Sequence, residues 1–344
     1  PGIAWALLTN FVKSYRMPES ISILPALIKL GGFQYCANHG NIGDLLIDIA
    51  TRQFFRRHHL PAQEKPHRHV VYGGGGRFVS FYGSLDEQKE ELTARSVERC
   101  IILPHSFYQV DSLIRSFDER HLVFCREQRS LDYCLSLNDR AQFLPADDMA
   151  LYFCPNSLPS FILEEKGTPA CPEPWAVSLL EKIRESVQES SFCAFRENYW
   201  QQGAFLPRRG KESALPAELI LGRDISDLWN GWGDGSAEQA FLIGGLLSIL
   251  KELDIVISDR LHICIAGLLA GCRVYFLDNN YGKLSGVYRQ SLSDHPERIS
   301  FLTLNFPYFF PRYFPLSANS LFPSISSSPG KGMGRRCDST YAVE

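Results

Sequence analysis

The sequence has no long hydrophobic run and no excess of charge of one sign. Its apolar stretches are broken well short of the roughly 20 residues that a membrane-spanning helix needs, and the stretch at 2–8 is too short for the core of a signal peptide. The formal net charge is −3, so bulk attraction to nucleic acid or to an anionic membrane is not expected. These absences argue against a membrane-spanning protein, and nucleic acid is not among the expected partners.

The ten cysteines contain no C-x-x-C pair and no matched spacing. Several lie inside apolar, strand-like segments, where a free cysteine behaves as a small hydrophobic residue. We therefore expect no disulfide framework, no metal site and no cofactor, and the cysteine usage favours a reducing compartment, the cytoplasm. The alternative location is the Golgi lumen, if an anchor precedes Pro1.

Four consecutive glycines at 73–76 do not form a G-x-G-x-x-G pattern, because their register is wrong and no acidic residue at a later strand end is obvious. A dinucleotide site is therefore not expected. The glycines follow an apolar segment at 69–72, and a backbone without Cβ atoms lets a ligand approach closely. Gly74 and Gly75 are accordingly candidates for substrate contact.

The length of 344 residues suits two domains better than one compact α/β core, given about 100 to 200 residues per domain. Short apolar segments alternate with helical patterns along the chain. The expected strands lie at 33–37, 69–72, 100–103, 122–125, 192–195, 255–257 and 272–277, and the expected helices at 44–57, 90–99, 237–251 and 263–271. This alternation predicts parallel sheets with helices on both faces, the Rossmann-like pattern.

Shifts in composition divide the chain. The stretch at 153–174 is rich in Pro, Ser and Cys and indicates a linker or domain crossing, and the polar, proline-bearing stretch at 201–218 indicates a surface loop. We expect one Rossmann-like domain at 1–165, the first half, and another at 166–311, the second half. Residues 312–344 are rich in Ser, Gly and Pro and predict a disordered tail.

The segment Asp259-Arg260-Leu261-His262 lies between an apolar run at 255–257 and a long small-and-apolar run at 263–271. This pattern is typical of a turn from a buried strand into a helix. Ligands of open α/β sheets bind at the carboxyl ends of strands, where helix N-termini present backbone N–H groups. An arginine and a histidine on such a turn suit a phosphorylated or carboxylated ligand.

A polar loop follows the next expected strand and contains Lys283. If the crossover is right-handed, as almost all are, this loop opens on the same edge of the sheet as Arg260 and His262. The three side chains could then face one ligand.

The sequence resembles the polysaccharide pyruvyl transferases at five places in the same order. The matching motifs are Asn38-His39-Gly40-Asn41-Ile42-Gly43-Asp44, the glycines at 73–76, Arg126-Glu127 followed by Ser130, Asp259-Arg260-Leu261-His262, and Asp278-Asn279-Asn280-Tyr281-Gly282-Lys283. Single motifs of this kind are weak, but five in register are specific. Two positions differ from the family pattern: Ile263 replaces a glycine, and Glu127 replaces the commoner aspartate.

The resemblance implies two Rossmann-like domains that face each other across a cleft, as in GT-B glycosyltransferases. It also implies transfer of a pyruvyl group from phosphoenolpyruvate to two hydroxyls of one sugar, which forms a cyclic ketal. The expected partners are the phosphoenolpyruvate donor and a sugar or lipid-linked glycan acceptor, and a lipid-linked acceptor would bring peripheral membrane contact. This chemistry requires one positioned acid and no metal or organic cofactor.

His262 is the candidate catalytic acid. The candidates for substrate binding are Arg260, Leu261, Lys283, Arg126, His105, Asn41, Asp44, Gly74 and Gly75. The base that closes the ring is either His105 or Asp44. We expect the second half to bind the donor, because the cations cluster there, and the first half to bind the neutral sugar.

Structural interpretations stay open for several candidates. Arg260 could pair only with Asp259, Asp44 could be only a helix N-cap, and Asp147-Asp148 are expected to cap a helix. Two other functions are also compatible with this pattern. One is a nucleotide-sugar glycosyltransferase of the GT-B type, and the other is a catalytically silent protein that binds sugar or phosphate.

Overall fold

A computed structural model describes residues 23–63, 65–166, 172–196, 199–207, 224–279 and 281–302. The predicted tail at 312–344 and most of the predicted loop at 201–218 lie outside these residues. The two domain boundaries stay predictions.

The first sheet has six strands, all parallel, in the order β3-β1-β4-β5-β6-β7. The strands are β1 (Phe33–Cys36), β3 (Ala62–Gln63), β4 (His69–Tyr72), β5 (Arg99–His105), β6 (His121–Cys125) and β7 (Gln142–Pro145). The apolar segments that predicted β1, β4, β5 and β6 are confirmed, since they form buried central strands.

The second sheet has five strands in the order β13-β12-β11-β9-β8. The strands are β8 (Ser191–Arg196), β9 (Tyr199–Phe205), β11 (Ile255–Ser258), β12 (Arg273–Phe276) and β13 (Ile299–Phe301). Four of them run parallel, whereas β8 pairs antiparallel with β9. The prediction of parallel sheets is therefore correct for the first sheet and wrong for this edge strand, because β8 and β9 are consecutive and need no crossover.

The prediction of a surface loop from residue 201 onward is wrong for the residues of β9. This strand lies in the middle of the second sheet despite its polar start. Phe192 of β8 lies opposite Gly203, and a Cβ atom on Gly203 would meet the Phe192 ring at 2.3 Å. A glycine that reads as a loop residue is thus required for a large ring to cross the strand pair.

The helices cover the sheets. They are α1 (Ile23–Ile28), α2 (Ile42–Arg57), α3 (Asp86–Thr93), α4 (Asp111–Ser116), α5 (Gln128–Leu137), α6 (Leu158–Lys166), α7 (Pro174–Glu189), α8 (Ala237–Leu250), α9 (Leu261–Ala270) and α10 (Lys283–Val287). Helix α6 corrects the expectation of a linker at 153–174, because Leu158 and Phe161 are buried there. Helix α3 begins four residues before the predicted helix at 90–99 and ends six residues earlier.

The two halves share one core and one small sheet. Apolar residues of α2 from the first half and of α8 and α9 from the second half belong to the same buried cluster. In addition, β2 (His39–Asn41) pairs antiparallel with β10 (Asn230–Trp232). The crossing of the halves is therefore fixed by packing and by backbone hydrogen bonds.

The described cysteines are free thiols, and most of them are buried. Burial raises the pKa of the Cys272 thiol to about 12, so it is neutral at physiological pH. Across the described ranges, no helix is long and apolar enough to cross a membrane.

Candidate active site

A cleft of about 360 Å³ opens where the carboxyl ends of strands from both sheets meet. Its wall is formed by His39, Gly40, Asn41, Asp44, Gly76, Arg77, Tyr82, Ser226, Asp227, Asn230, Arg260, Leu261, His262 and Lys283. The predicted residues Asn41, Asp44, Arg260, Leu261, His262 and Lys283 are therefore brought together. This is the edge at which parallel α/β sheets bind ligands.

His262 lies at the start of α9 and meets two residues of the first half. Its Nε2 atom lies 3.3 Å from Asp148 Oδ2 and 3.4 Å from Arg126 Nη1, and Arg126 Nη1 donates to Asp148 Oδ2 at 2.6 Å. Arg126 directly follows β6, and Asp148 follows the end of β7. The three buried side chains, together with Lys283, form what we call the floor of the cleft.

Burial and charge shift the pKa values of the floor in a consistent way. Burial lowers the pKa of His262, and Arg126 and Lys283 lower it further, whereas Asp148 opposes this shift. Burial alone would raise the pKa of Asp148, but His262 and Arg126 hold it well below its ordinary value. Asp148 is therefore a carboxylate that accepts hydrogen bonds, and an anion that joined the floor would favour the charged form of His262.

A second set of hydrogen bonds fixes Arg126 from behind. Its Nε atom donates to Ser106 Oγ at 2.8 Å, and Ser106 Oγ donates to Glu127 Oε2 at 3.0 Å. Ser130 Oγ donates to the other oxygen of Glu127 and accepts from the backbone N–H of Phe107 at 2.7 Å. The arginine, acid and serine that were singled out in the sequence are thus one network that holds the guanidinium in place.

Arg126 Nη2 is buried and has no hydrogen-bond partner among the described residues. A Cβ atom on Gly76 would lie 3.0 Å from Arg126 Nη2 and 3.0 Å from Lys283 Nζ. The two cationic nitrogens therefore converge on the backbone of Gly76, which lines the cleft. Two converging cations, one with an unused donor, form a binding site for an anion.

Helix α2 begins against His262. Asn41 is its N-cap, since the Asn41 side chain accepts from Gly43 N at 2.8 Å, and Asp44 returns a hydrogen bond to Asn41 N at 3.0 Å. The expectation that Asp44 itself is the N-cap is therefore wrong: it is the third helical residue of a capping box. A Cβ atom on Gly43 would lie 2.6 Å from His262 Nδ1, so the glycine leaves room for the imidazole.

Arg260 is held by two carboxylates. Its Nε and Nη2 atoms donate to Asp224, with the Nε bonds at 3.0 and 3.2 Å, and Nη2 also donates to Asp227 at 2.8 Å. Pairing with Asp259 alone is thus not the explanation for this arginine. The fork is oriented in advance at the wall of the cleft.

His105, Gly74 and Gly75 lie behind the cleft wall. Burial lowers the pKa of His105 to about 3, and its ring stacks on Phe78. The carbonyl of Gly74 accepts from the Asn38 side chain at 2.8 Å, and Gly75 N donates to Pro104 O at 3.0 Å. The structure therefore does not bring these three predicted residues to the surface of the cleft.

Several residues of the site were missed by the sequence analysis. Asp148 was expected only as a cap, and its Oδ1 atom does accept from Ala150 N at 2.9 Å, but its other oxygen belongs to the floor. A signal was available, since an acidic residue follows an apolar segment at 143–144, as Arg126 does at 122–125. Asp224 and Asp227 gave no local signal.

The fold and the site together define a class of protein, an α/β enzyme that binds an anionic substrate between two sheets. The family model "polysaccharide pyruvyl transferase" matches residues 41–281, which is more than half of the chain. The chain therefore belongs to the polysaccharide pyruvyl transferase family, as its motifs predicted. Membership supports transferase activity with a pyruvyl donor and a sugar acceptor.

Among solved structures, the chain is similar to a functionally uncharacterised protein from Klebsiella pneumoniae. The two share 25% sequence identity and a TM-score of 0.59, and the match covers 82% of this chain and 96% of the other. A search of curated proteins gives no significant match. This likeness supports the mixed α/β fold, and it does not test the GT-B arrangement of the two halves.

Proposed function

We propose that the protein transfers a pyruvyl group from phosphoenolpyruvate to two hydroxyls of one sugar and so forms a cyclic ketal. The proposal rests mainly on one observation, which is that Arg126 Nη2 and Lys283 Nζ converge at Gly76 beside His262. Phosphoenolpyruvate carries a carboxylate and a phosphate next to the carbon that must be protonated. A cationic floor next to an imidazole matches that arrangement.

In this proposal, His262 supplies the proton to the methylene carbon of the donor. Its imidazole is 11% exposed and lines the cleft, so it can reach a bound molecule. Burial lowers its pKa, and the negative charge of the bound donor would raise it again. The acid is therefore charged by the substrate that it protonates.

Protonation makes the neighbouring carbon electrophilic, and the first sugar hydroxyl attacks it and loses its proton. The bond between that carbon and the phosphate oxygen then breaks, and the second hydroxyl closes the ketal ring. Arg260, Arg126 and Lys283 would stabilise the departing phosphate. The products are the ketal and inorganic phosphate, and no oxidant or reductant is needed.

Asp44 is the better of the two candidates for the base. It lines the cleft opposite the floor, whereas His105 is buried behind the wall. The charged groups of the site come from both halves, because Arg126 and Asp148 belong to the first. We therefore propose a division between a donor-binding floor and an acceptor-binding mouth in place of a division between the halves.

The test is incubation of the protein with phosphoenolpyruvate and a panel of neutral glycosides, with phosphate release and the mass of the sugar product as readouts. We expect phosphate release that depends on the glycoside, and a product that has gained one pyruvyl group with loss of water. A parallel incubation with nucleotide sugars addresses the glycosyltransferase alternative. Product from nucleotide sugars alone would contradict the proposal, and no product from either would favour a binding protein.

A further inference from the structure

We propose that Trp232 is a stacking platform for one ring of a neutral saccharide at the mouth of the cleft. The inference rests on the proposed function only in taking that saccharide to be the acceptor. Trp232 lies opposite His39 in the β2–β10 pair, and their rings meet edge to face with centroids 5.2 Å apart. His39 lines the cleft, so the indole is one side chain away from it.

The indole is unusually exposed. Trp232 is 64% exposed, and Tyr82, which lines the cleft, is 48% exposed. Large apolar side chains with this exposure are few among the described residues, and these two, with Phe81 beside Tyr82, belong to the same region. Exposed aromatic groups at the edge of a polar cleft mark a binding surface. We call His39, Tyr82 and Trp232 the rim.

The backbone that carries the indole is rigid. Gln239 Nε2 donates to Trp232 O at 2.8 Å, and Gln239 Oε1 accepts from Asp234 N at 3.0 Å. Gly233 packs on the carboxylate of Asp48, where a Cβ atom would approach to 2.6 Å. An exposed aromatic ring on a fixed backbone binds without a large ordering cost, because only its two side-chain torsions remain to be fixed.

A neutral sugar is the ligand that suits this surface. The face of an indole is electron-rich, and the C–H groups on one face of a pyranose carry a weak positive charge. The hydroxyl edge of the same ring can then hydrogen-bond to Asn230 or Asn41, which pair across β10 and β2 and line the cleft. The rim carries no carboxylate or ammonium group that would require a charged sugar.

The test uses the intact chain without phosphoenolpyruvate, so it does not depend on pyruvyl transfer. Saturation-transfer NMR is recorded with methyl galactoside, methyl glucoside, methyl mannoside and methyl N-acetylglucosaminide. We expect at least one glycoside to receive saturation mainly on the protons of one ring face. Trp232→Ala should abolish that pattern and Trp232→Phe should retain it in part.

The matched control is Trp175→Ala, since Trp175 is also exposed, at 45%, but does not line the cleft. It should behave like the wild type. In turnover assays, Trp232→Ala should raise the acceptor KM about 3- to 10-fold and leave the donor KM unchanged.

An unchanged saturation pattern in Trp232→Ala, no saturation of any glycoside by the wild type, or a change in oligomeric state in Trp232→Ala would each overturn the platform. Phosphate release from phosphoenolpyruvate with an unchanged acceptor KM would remove the platform and keep the proposed function. Saccharide binding that depends on Trp232 without any phosphate release would do the opposite.

Discussion

The floor and the rim of the cleft differ in both chemistry and exposure. The floor consists of charged side chains that are almost completely buried and bonded to one another, such as Arg126 and Asp148. The rim consists of aromatic rings that carry no fixed charge and are open to solvent, such as Trp232. Charge is buried only where it is paired, whereas an aromatic face can stay exposed until a ligand covers it.

The difference indicates how the two surfaces respond to change. The floor belongs to both halves, and each of its groups has partners in the other half, so a substitution there disturbs several contacts at once. The rim side chains depend mainly on the local β2–β10 pair. We expect floor variants to lower turnover and rim variants to change acceptor affinity, and the predictions below test that contrast.

The largest effect is expected from His262→Ala. Loss of the acid should lower kcat by about 10²- to 10⁴-fold, with little loss of donor binding, because the cations of the floor remain. Stopped-time phosphate release gives kcat, and calorimetry with phosphoenolpyruvate gives the donor Kd. Wild-type turnover in this variant would remove His262 from the mechanism.

The next effect is expected from Gly43→Ala. The new methyl group would lie 2.6 Å from His262 Nδ1 and 2.8 Å from His262 Cβ, so the imidazole must shift. A displacement of this kind costs about 10²-fold in rate when the group acts on the substrate. The control is Gly32→Ala, where a Cβ atom would meet nothing within 4 Å.

Both glycine variants should keep a similar thermal midpoint, so that the loss in Gly43→Ala is one of rate. If Gly43→Ala and Gly32→Ala turn over equally, the imidazole need not stay where the structure places it.

A smaller effect is expected from Arg260→Lys, which lies on the wall between floor and rim. Lysine keeps the charge but cannot contact Asp224 and Asp227 with the same fork, so the donor KM should rise about 10-fold while kcat changes less. Initial rates at varied phosphoenolpyruvate measure this split. Asp227→Asn is the companion variant and should shift the donor KM less, because the Asp224 contact remains. An unchanged donor KM in Arg260→Lys would assign the arginine to its carboxylate partners alone.

The parts of the site that could be predicted from the sequence are those with a local pattern. The turn into α9 follows from an apolar strand and a small, apolar helix on either side of Arg260 and His262, and the structure confirms both elements. Arg126 was found because it ends the buried strand β6. Short-range periodicity is enough for such elements.

The parts that could not be predicted depend on residues distant in the sequence. Asp148 meets a histidine 114 positions later, and Asp224 meets an arginine 36 positions later. The β2–β10 pair has three residues in each strand, which is too short for any periodic signal. Trp232 could therefore be placed at the cleft only by tertiary structure.

The last and smallest effect concerns the pH dependence of the wild type, and it separates floor from rim without any substitution. Burial lowers the pKa of His262, and an acid must be protonated to act, so kcat/KM should fall as pH rises through a value below that of ordinary imidazole. The bound donor adds negative charge beside the ring, which raises this pKa, so the corresponding fall in kcat should occur at higher pH. Binding of a neutral sugar at the rim should not move either limb. Rates measured across pH at low and at saturating donor give the two profiles, and His262→Ala, which should lack the limb, separates it from ionisation of the donor itself. Coincident limbs in kcat and kcat/KM would mean that the donor does not charge His262, and a limb that moves with acceptor concentration would place the sugar on the floor.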